Sequence, residues 1–261
     1  MSEKKPSVDN KESAIEIIDL KKAFTENEFV LNGIDLKIPK GKITVVIGFS
    51  GTGKSVLLKH ILGLLTPTSG TVRILGQDIS DMPDDEKIKM RSKFGVLFQY
   101  AALFDDMTIL DNVCFPLKEH QRHLTPGQIK EIAFEKLKRS GLDEKHYSKL
   151  PGEVSGGMRK RCGLARALAL DPDILIYDEP TTGLDPVLTE MVDNLILNTH
   201  NYKKGNSSLV VSHDLHAAFR IGDYVAMLDS GKVLLHGPPK VFLESDHPLV
   251  SRFVDKGVNK S

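Results

Sequence analysis

Residues 43–55 read ITVVIGFSGTGKS. The opening five form an almost continuous apolar, β-branched run, the composition of a strand buried on both faces. Glycines follow at 48, 51 and 53, and then Lys54 and Ser55 begin a helical pattern, expected to start at Gly53 and run through VLLKHILGLL. The segment from Gly48 to Ser55 fits the pattern G-x-x-x-x-G-K-[ST] between a strand and a helix, which is the context that pattern requires. Backbone N–H groups of Gly48, Ser50, Gly51, Thr52 and Gly53 can close around phosphate oxygens, and the helix start, through Val56, adds partial positive charge. Lys54 reaches terminal phosphates and Ser55 offers its hydroxyl to Mg²⁺. A nucleoside triphosphate such as ATP is the expected ligand.

Outward from this stretch, AIEIIDL, LNGIDLKI, TVRILG, FGVLFQ, DILIYD, SSLVVS and YVAMLD read as strands. PVLTEMVDNLILNTH and DLHAAFR read as helices between them, and strands alternating with helices predict a mostly parallel sheet flanked by helices. Within residues 105–170 the pattern turns helical: TPGQIKEIAFEKLKRSG puts Ile129, Ile132, Ala133 and Leu137 on one face, behind a threonine start and before a glycine stop. An inserted helical subdomain is expected there. Residues 1–13 are polar and expected to be flexible, 14–245 to form the main domain, and 246–261 a C-terminal tail.

DILIYDEP places Asp178 and Glu179 directly after a buried strand, at the end where open α/β sheets bind ligands. Asp178 suits a Mg²⁺ shell, and Glu179 suits the orientation and polarisation of an attacking water. The chain has 261 residues with 35 basic and 35 acidic side chains, so the overall balance offers no electrostatic footprint for nucleic acid. No apolar run is long enough to span a bilayer and MSEKKPSVDNKES lacks the apolar core of a secretory signal, so a cytosolic chain is expected. Cys114 and Cys162 fit no metal spacing and read as reduced packing residues, and EHQRH, with His120 and His123, reads as a solvated surface.

A second glycine-rich helix start, VSGGMRKR at 154–161, is by itself only a helix cap at Ser155. Taken with the other motifs it carries a resemblance that covers the chain from about Ile15 to the tail. The chain resembles the ATPase subunit of ABC transporters: VSGGM looks like the LSGGQ signature, with Val154 and Met158 in place of leucine and glutamine and with Ser155, Gly156 and Gly157 kept. Gln99 resembles the Q-loop glutamine, which in that family contacts Mg²⁺ and water; TTGLD ending at Asp185 resembles the D-loop, and His213 in VVSHD the switch histidine. The resemblance implies a P-loop NTPase core with an antiparallel β subdomain and the helical insertion. It implies that two copies pair head to tail, so that the signature of one closes over ATP held by the other's phosphate loop. It implies an aromatic stacked on adenine, for which Phe24 and Phe29 both qualify, and a His213 contact to the γ-phosphate as charge develops.

FGVLFQYAALFDDMTILDNVCFPLKEH, GGMRKRCGLARALAL and SDHPLVSRFVDKG are similar to the ATPases of Mla-type, Mce-associated lipid transporters. This resemblance implies a peripheral ATPase on the cytoplasmic face of the inner membrane, with integral permease subunits as partners and an Mce-domain protein and a small regulatory subunit as further candidates. An ATPase for another solute, a soluble ABC protein that transports nothing, and a P-loop kinase stand as alternatives; the single phosphate loop and absence of sustained heptads count against the second, and VSGGM, TTGLD and His213 against the third.

Overall fold

The structure, a computed structural model, describes residues 12–26, 28–202 and 205–258, with side chains as far as 255. In chain order the elements are β1 (Ser13–Thr25), β2 (Glu28–Pro39), β3 (Ile43–Ile47), α1 (Lys54–Ile61), β4 (Ser69–Ile74), β5 (Gln77–Asp78), α2 (Asp84–Arg91) and β6 (Phe94–Leu97). There follow α3 (Ile109–His120), α4 (Pro126–Arg139), α5 (Gly156–Ala167), β7 (Ile174–Asp178) and α6 (Pro186–Tyr202). The chain ends with β8 (Ser207–Ser212), α7 (Leu215–Ile221), β9 (Tyr224–Asp229), β10 (Lys232–Gly237), α8 (Pro239–Leu243) and α9 (Pro248–Val258). They fall into two compact units, one built from the residues up to Lys87 together with those after Tyr202, the other from Ile88–Tyr202.

The first unit holds an antiparallel sheet in the order β2-β1-β4-β5. It also holds β3, whose five residues are all buried, as a fully apolar strand requires. β3 runs parallel to β8 on one side, from Ile43↔Ser208 to Ile47↔Ser212, and to β9 on the other, with β10 antiparallel at the edge. The Asn32 N–H donates to Gly231 O at 2.8 Å, tying β2 to the β9–β10 turn. Helix α1 stops at Ile61, four residues short of the predicted run. Gly63 takes φ +63°, and the Gly63 and Leu64 N–H groups turn back to the carbonyls of His60 and Lys59, the closing motif that a left-handed glycine permits. Strand β1 begins at Ser13, inside the stretch expected to be flexible; residues 1–11 of that expectation lie outside the described residues. The expected tail is largely helix α9, which packs on α7 and α8 and buries Val250 completely.

The second unit pairs β6 and β7 in parallel, from Phe94↔Ile174 to Leu97↔Tyr177. Its helices α3, α4 and α5 share a core of Ile109, Val113, Leu117, Ala133, Leu137, Cys162 and Ala165. Ile129, Ala133 and Leu137 are buried as their spacing predicts, and Ile132 only partly so. Thr125 and Gln128 form a reciprocal capping box with Pro126 in the first turn, and Gly141 at φ +75° follows the end of α4. Helix α3 escaped the sequence reading because Pro116 lies inside it. What anchors its start is Asn112, fully buried: Oδ1 accepts from Phe104 N–H, and Nδ2 donates to the carbonyls of Phe104, Met107 and Thr108. Cys114 and Cys162 are free, buried thiols, and burial pushes Cys162 up to about 12, so it packs as an inert apolar group.

In β10, burial holds the His236 imidazole down at about 4, and its Nε2 meets no acceptor or donor among the described residues. The unfolded chain takes up this proton near pH 6.5 while the folded one resists until about 4, so the folded state loses stability as pH falls through that window. Between pH 7 and 5 the loss from this one group comes to about 2 kcal/mol by linkage. Denaturant midpoints measured at both pH values will show the His236→Phe protein to be less acid-sensitive than the unsubstituted one by this amount; equal sensitivity would contradict the assignment.

Candidate active site

Because β3 and β8 are parallel with Ile47 opposite Ser212, Gly48 and His213 emerge side by side from the carboxyl ends of neighbouring strands. The loop 48–53 then folds tightly on itself. The Lys54 ammonium, on a buried side chain, donates to the carbonyls of Gly48 at 2.7 Å and Phe49 at 3.1 Å, and the Thr52 hydroxyl to Phe49 O at 2.9 Å. A Cβ on Gly48 would lie 2.5 Å from Leu228 O, and Gly53 combines φ +101° with a would-be Cβ 2.7 Å from Leu31 Cδ2, so neither position admits a side chain. Among the described residues the Gly51 and Gly53 N–H groups meet no acceptor. The first turn of α1 carries no acidic residue, and Gly53 supplies no side-chain cap. Orphan donors, an uncompensated helix dipole and a lysine held at the loop mouth are together what an anionic phosphate chain needs. Ser50 and Ser55 are exposed beside them, and Val56 is half-buried.

His213 is exposed and immediately precedes Asp214, whose carboxylate caps α7 by accepting from His216 and Ala217. The histidine is therefore outside the helix. Phe24 and Phe29 lie near the tip of the β1–β2 hairpin, 59% and 43% exposed, where Phe29 is opposite Ala23. The Lys22 ammonium lies over the Phe24 ring, 5.4 Å from its centroid. A feature the sequence did not reveal is Phe253 on α9, packed edge-on against Phe49 of the loop with ring centroids 5.1 Å apart. Nothing in the spacing of the two residues, some two hundred positions apart, signals that contact.

In the second unit the same logic of parallel strands applies. Leu97 faces Tyr177, so Phe98 and Gln99 leave β6 beside Asp178 and Glu179 at the end of β7. Glu179 has φ +48°, a left-handed conformation that costs a non-glycine residue of the order of 1 kcal/mol. Its Oε2 accepts from the Thr182 hydroxyl at 3.0 Å, which fixes the carboxylate's direction. The Gln99 amide donates to Tyr100 Oη at 3.2 Å. Just beyond, Ala101 and Ala102 both have positive φ, and Arg166 of α5 donates to their carbonyls at 2.7 and 2.8 Å. Sequence reading missed Arg166, because an arginine in GLARALAL carries no sign that it clamps a strained turn 64 residues earlier.

Ser155 caps α5, its Oγ accepting from Met158 N–H at 3.3 Å, and Asp185 caps α6 by accepting from Leu188 N–H at 2.9 Å. Neither cap explains the two glycines of the motif. A Cβ on Gly157 would meet nothing within 4 Å, and one on Gly156 only the end of Arg159 at 3.7 Å, while both have ordinary helical backbone. Inside this chain alanine would fit at either position and favour the helix, so the glycines are suited to something approaching from outside. Gly156→Ala and Gly157→Ala will each leave the isolated chain as stable or up to about 1 kcal/mol more stable, yet lower ATP turnover at least tenfold. Thermal melting and phosphate release measured on the same preparations test this, and turnover that survives both substitutions would refute it. Arg166→Leu, which leaves two carbonyls unbonded, will lower stability by about 1.5–3 kcal/mol in urea unfolding.

Residues 31–182 match the family model described as ABC transporter. A relative in Mycobacterium leprae, named as a probable ribonucleotide transport ATP-binding protein, is 44% identical over 244 residues, 93% of this chain and 69% of the relative. An intermembrane phospholipid transport system ATP-binding protein of Haemophilus influenzae is 40% identical over 225 residues, 86% of this chain and 84% of the relative. The solved dimeric ATP-binding cassette in a post-hydrolysis state, bound to ADP and Pi, superposes with a TM-score of 0.78 at 32% identity, over 86% of this chain and 98% of the other.

Proposed function

This chain belongs to the ABC transporter family of ATP-binding proteins and is an ATPase with that family's mixed α/β P-loop fold, and from that premise we propose that it powers phospholipid movement between membranes. The observation that carries the lipid reading is the 40% identity to the Haemophilus influenzae phospholipid-system protein along 84% of that relative's length. The Mycobacterium leprae relative, which carries a ribonucleotide name, is the reason a second cargo class enters the test.

In the proposed cycle the Gly48–Ser55 loop and the start of α1 hold the ATP phosphates through Ser50, Gly51, Thr52, Gly53, Lys54, Ser55 and Val56, and Phe24 or Phe29 stacks on the base. The oxygen donors Ser55, Gln99 and Asp178 would hold Mg²⁺, a hard cation that accepts few protein ligands besides phosphates and neutralises charge on them. Glu179, fixed by Thr182, orients the attacking water, and His213 stabilises the charge that develops on the γ-phosphate. Ser155, Gly156, Gly157 and Asp185 close the site from a second copy, in line with the glycines that nothing in their own chain requires. The domain bounds 14–245, with the helical part at 105–170, remain part of this reading.

The exposed rings of Phe98, Tyr100 and Phe104, the second of them 81% exposed, lie on either side of Gln99 and on this reading are offered to an integral permease subunit. No helix among the described residues is long and apolar enough to cross a membrane, so on this reading attachment to the cytoplasmic face of the inner membrane comes through such partners, with an Mce-domain protein and a small regulatory subunit as further members.

Lys54→Ala will lose ATP binding or turnover. Glu179→Gln will bind ATP and accumulate as a dimer, seen as a doubling of mass in light scattering, with turnover reduced at least a hundredfold; unchanged turnover would remove Glu179 from its role. Tagged protein extracted from membranes in mild detergent will bring down an integral subunit and phospholipid by mass spectrometry. Recovery of nucleotide in place of lipid would transfer the reading to the ribonucleotide class.

A further inference from the structure

Within the second unit, α4, α5 and α6 line a cleft of about 370 Å³. Its floor is apolar. Leu188, Met191 and Leu195 come from one face of α6, and Leu168 from the end of α5. The volume lies in the range of pockets that take small organic ligands, and Leu188 and Met191 are 36% and 47% exposed, so the floor is open to a visitor.

The rim is basic, and its cations differ in how they are neutralised. Lys136 is bonded to Asp171 at 2.5 Å. Arg139 pairs with Glu135 and stacks on Tyr202, 3.9 Å from the ring centroid. Lys160 and Arg161 have no carboxylate partner among the described residues: Lys160 reaches the Pro180 carbonyl, and Arg161 the carbonyls of Gly141 and Ser140. Lys160 is also 8% exposed, and burial lowers its pKa below the ordinary lysine range. A buried ammonium satisfied by a neutral carbonyl is costly, and an anion at the same place would relieve that cost. Asn194 and Asn198 on α6 add amide donors to the lining.

We infer that this cleft is a binding site for a small amphiphilic monoanion, an aliphatic carboxylate whose chain lies on Leu188, Met191 and Leu195 and whose head meets Lys160 and Arg161. Each of these side chains belongs to the α4–α5–α6 cluster. Gly157, next to the first turn of α5, borders the same cleft, so an occupant would touch the helix that carries the signature motif.

The test uses the whole chain with decanoate as probe and decanol as its uncharged counterpart, followed by calorimetry. Decanoate will bind saturably at one site per chain, at least tenfold more tightly than decanol, with unchanged affinity in saturating ADP and in the Lys54→Ala protein. Met191→Glu, at an exposed position, and Arg161→Gln will each weaken it about tenfold or more, as will Lys160→Met, with folding checked by circular dichroism. Absence of saturable binding, equal affinity for decanol, displacement by ADP, or indifference to Met191→Glu and Arg161→Gln would each overturn the inference. Failure of the phospholipid reading leaves it untouched, because that reading is tested by the cargo recovered from membranes.

Discussion

The structure depends on one constraint: a buried parallel strand must end where its chain turns into a helix, and among the described residues the Gly51 and Gly53 amides at that junction meet no acceptor. β3 is buried along its whole length and is held on both sides by β8 and β9, so the position of Gly48 is set by hydrogen-bonded neighbours and not by the loop. The loop then needs glycine, because Leu228, Leu31 and Thr52 fill the space that a side chain would take. Lys54 completes it by bonding back to the loop's own carbonyls, which places a cation next to the Gly51 and Gly53 amides, without acceptors among the described residues. An anion-binding site is thus a by-product of packing a strand against two others.

The same device recurs in the second unit in altered form. β7 ends in Asp178 and Glu179 beside the exit of Gln99 from β6, and here backbone strain replaces glycine: Glu179 holds a left-handed conformation, as do Ala101 and Ala102 nearby. Strain of this kind persists only where surrounding bonds over-determine it. Thr182 supplies that for Glu179 and Arg166 for the alanines. Since Arg166 is on the helix that Ser155 caps, one rigid element links the signature motif to the turn beyond Gln99.

Of the fold, what proved legible were elements whose signal is local. The strand runs ITVVI, LIYD and SSLVVS are apolar because both faces are covered, and the α4 start is written in Thr125, Pro126 and Gln128. α3 was not legible, since its proline argues against a helix and its anchor is the wholly buried Asn112 reaching back to Phe104. The end of α1 was misjudged because an apolar pattern continues through Leu65 while Gly63, a single residue, breaks the backbone.

By itself the sequence determined where the glycine loop before α1, the acid pair at the end of β7 and the cap at Ser155 fall, because each is a contiguous pattern legible from residue type and order. Only the tertiary structure decided which strand ends are neighbours, that a side chain on Gly157 would meet nothing, that Phe253 rests on Phe49, and that Lys160 is buried with no opposing charge among the described residues. These are properties of residues far apart in the chain, and local composition cannot encode them: burial and counter-charge are set by whatever the rest of the fold brings alongside.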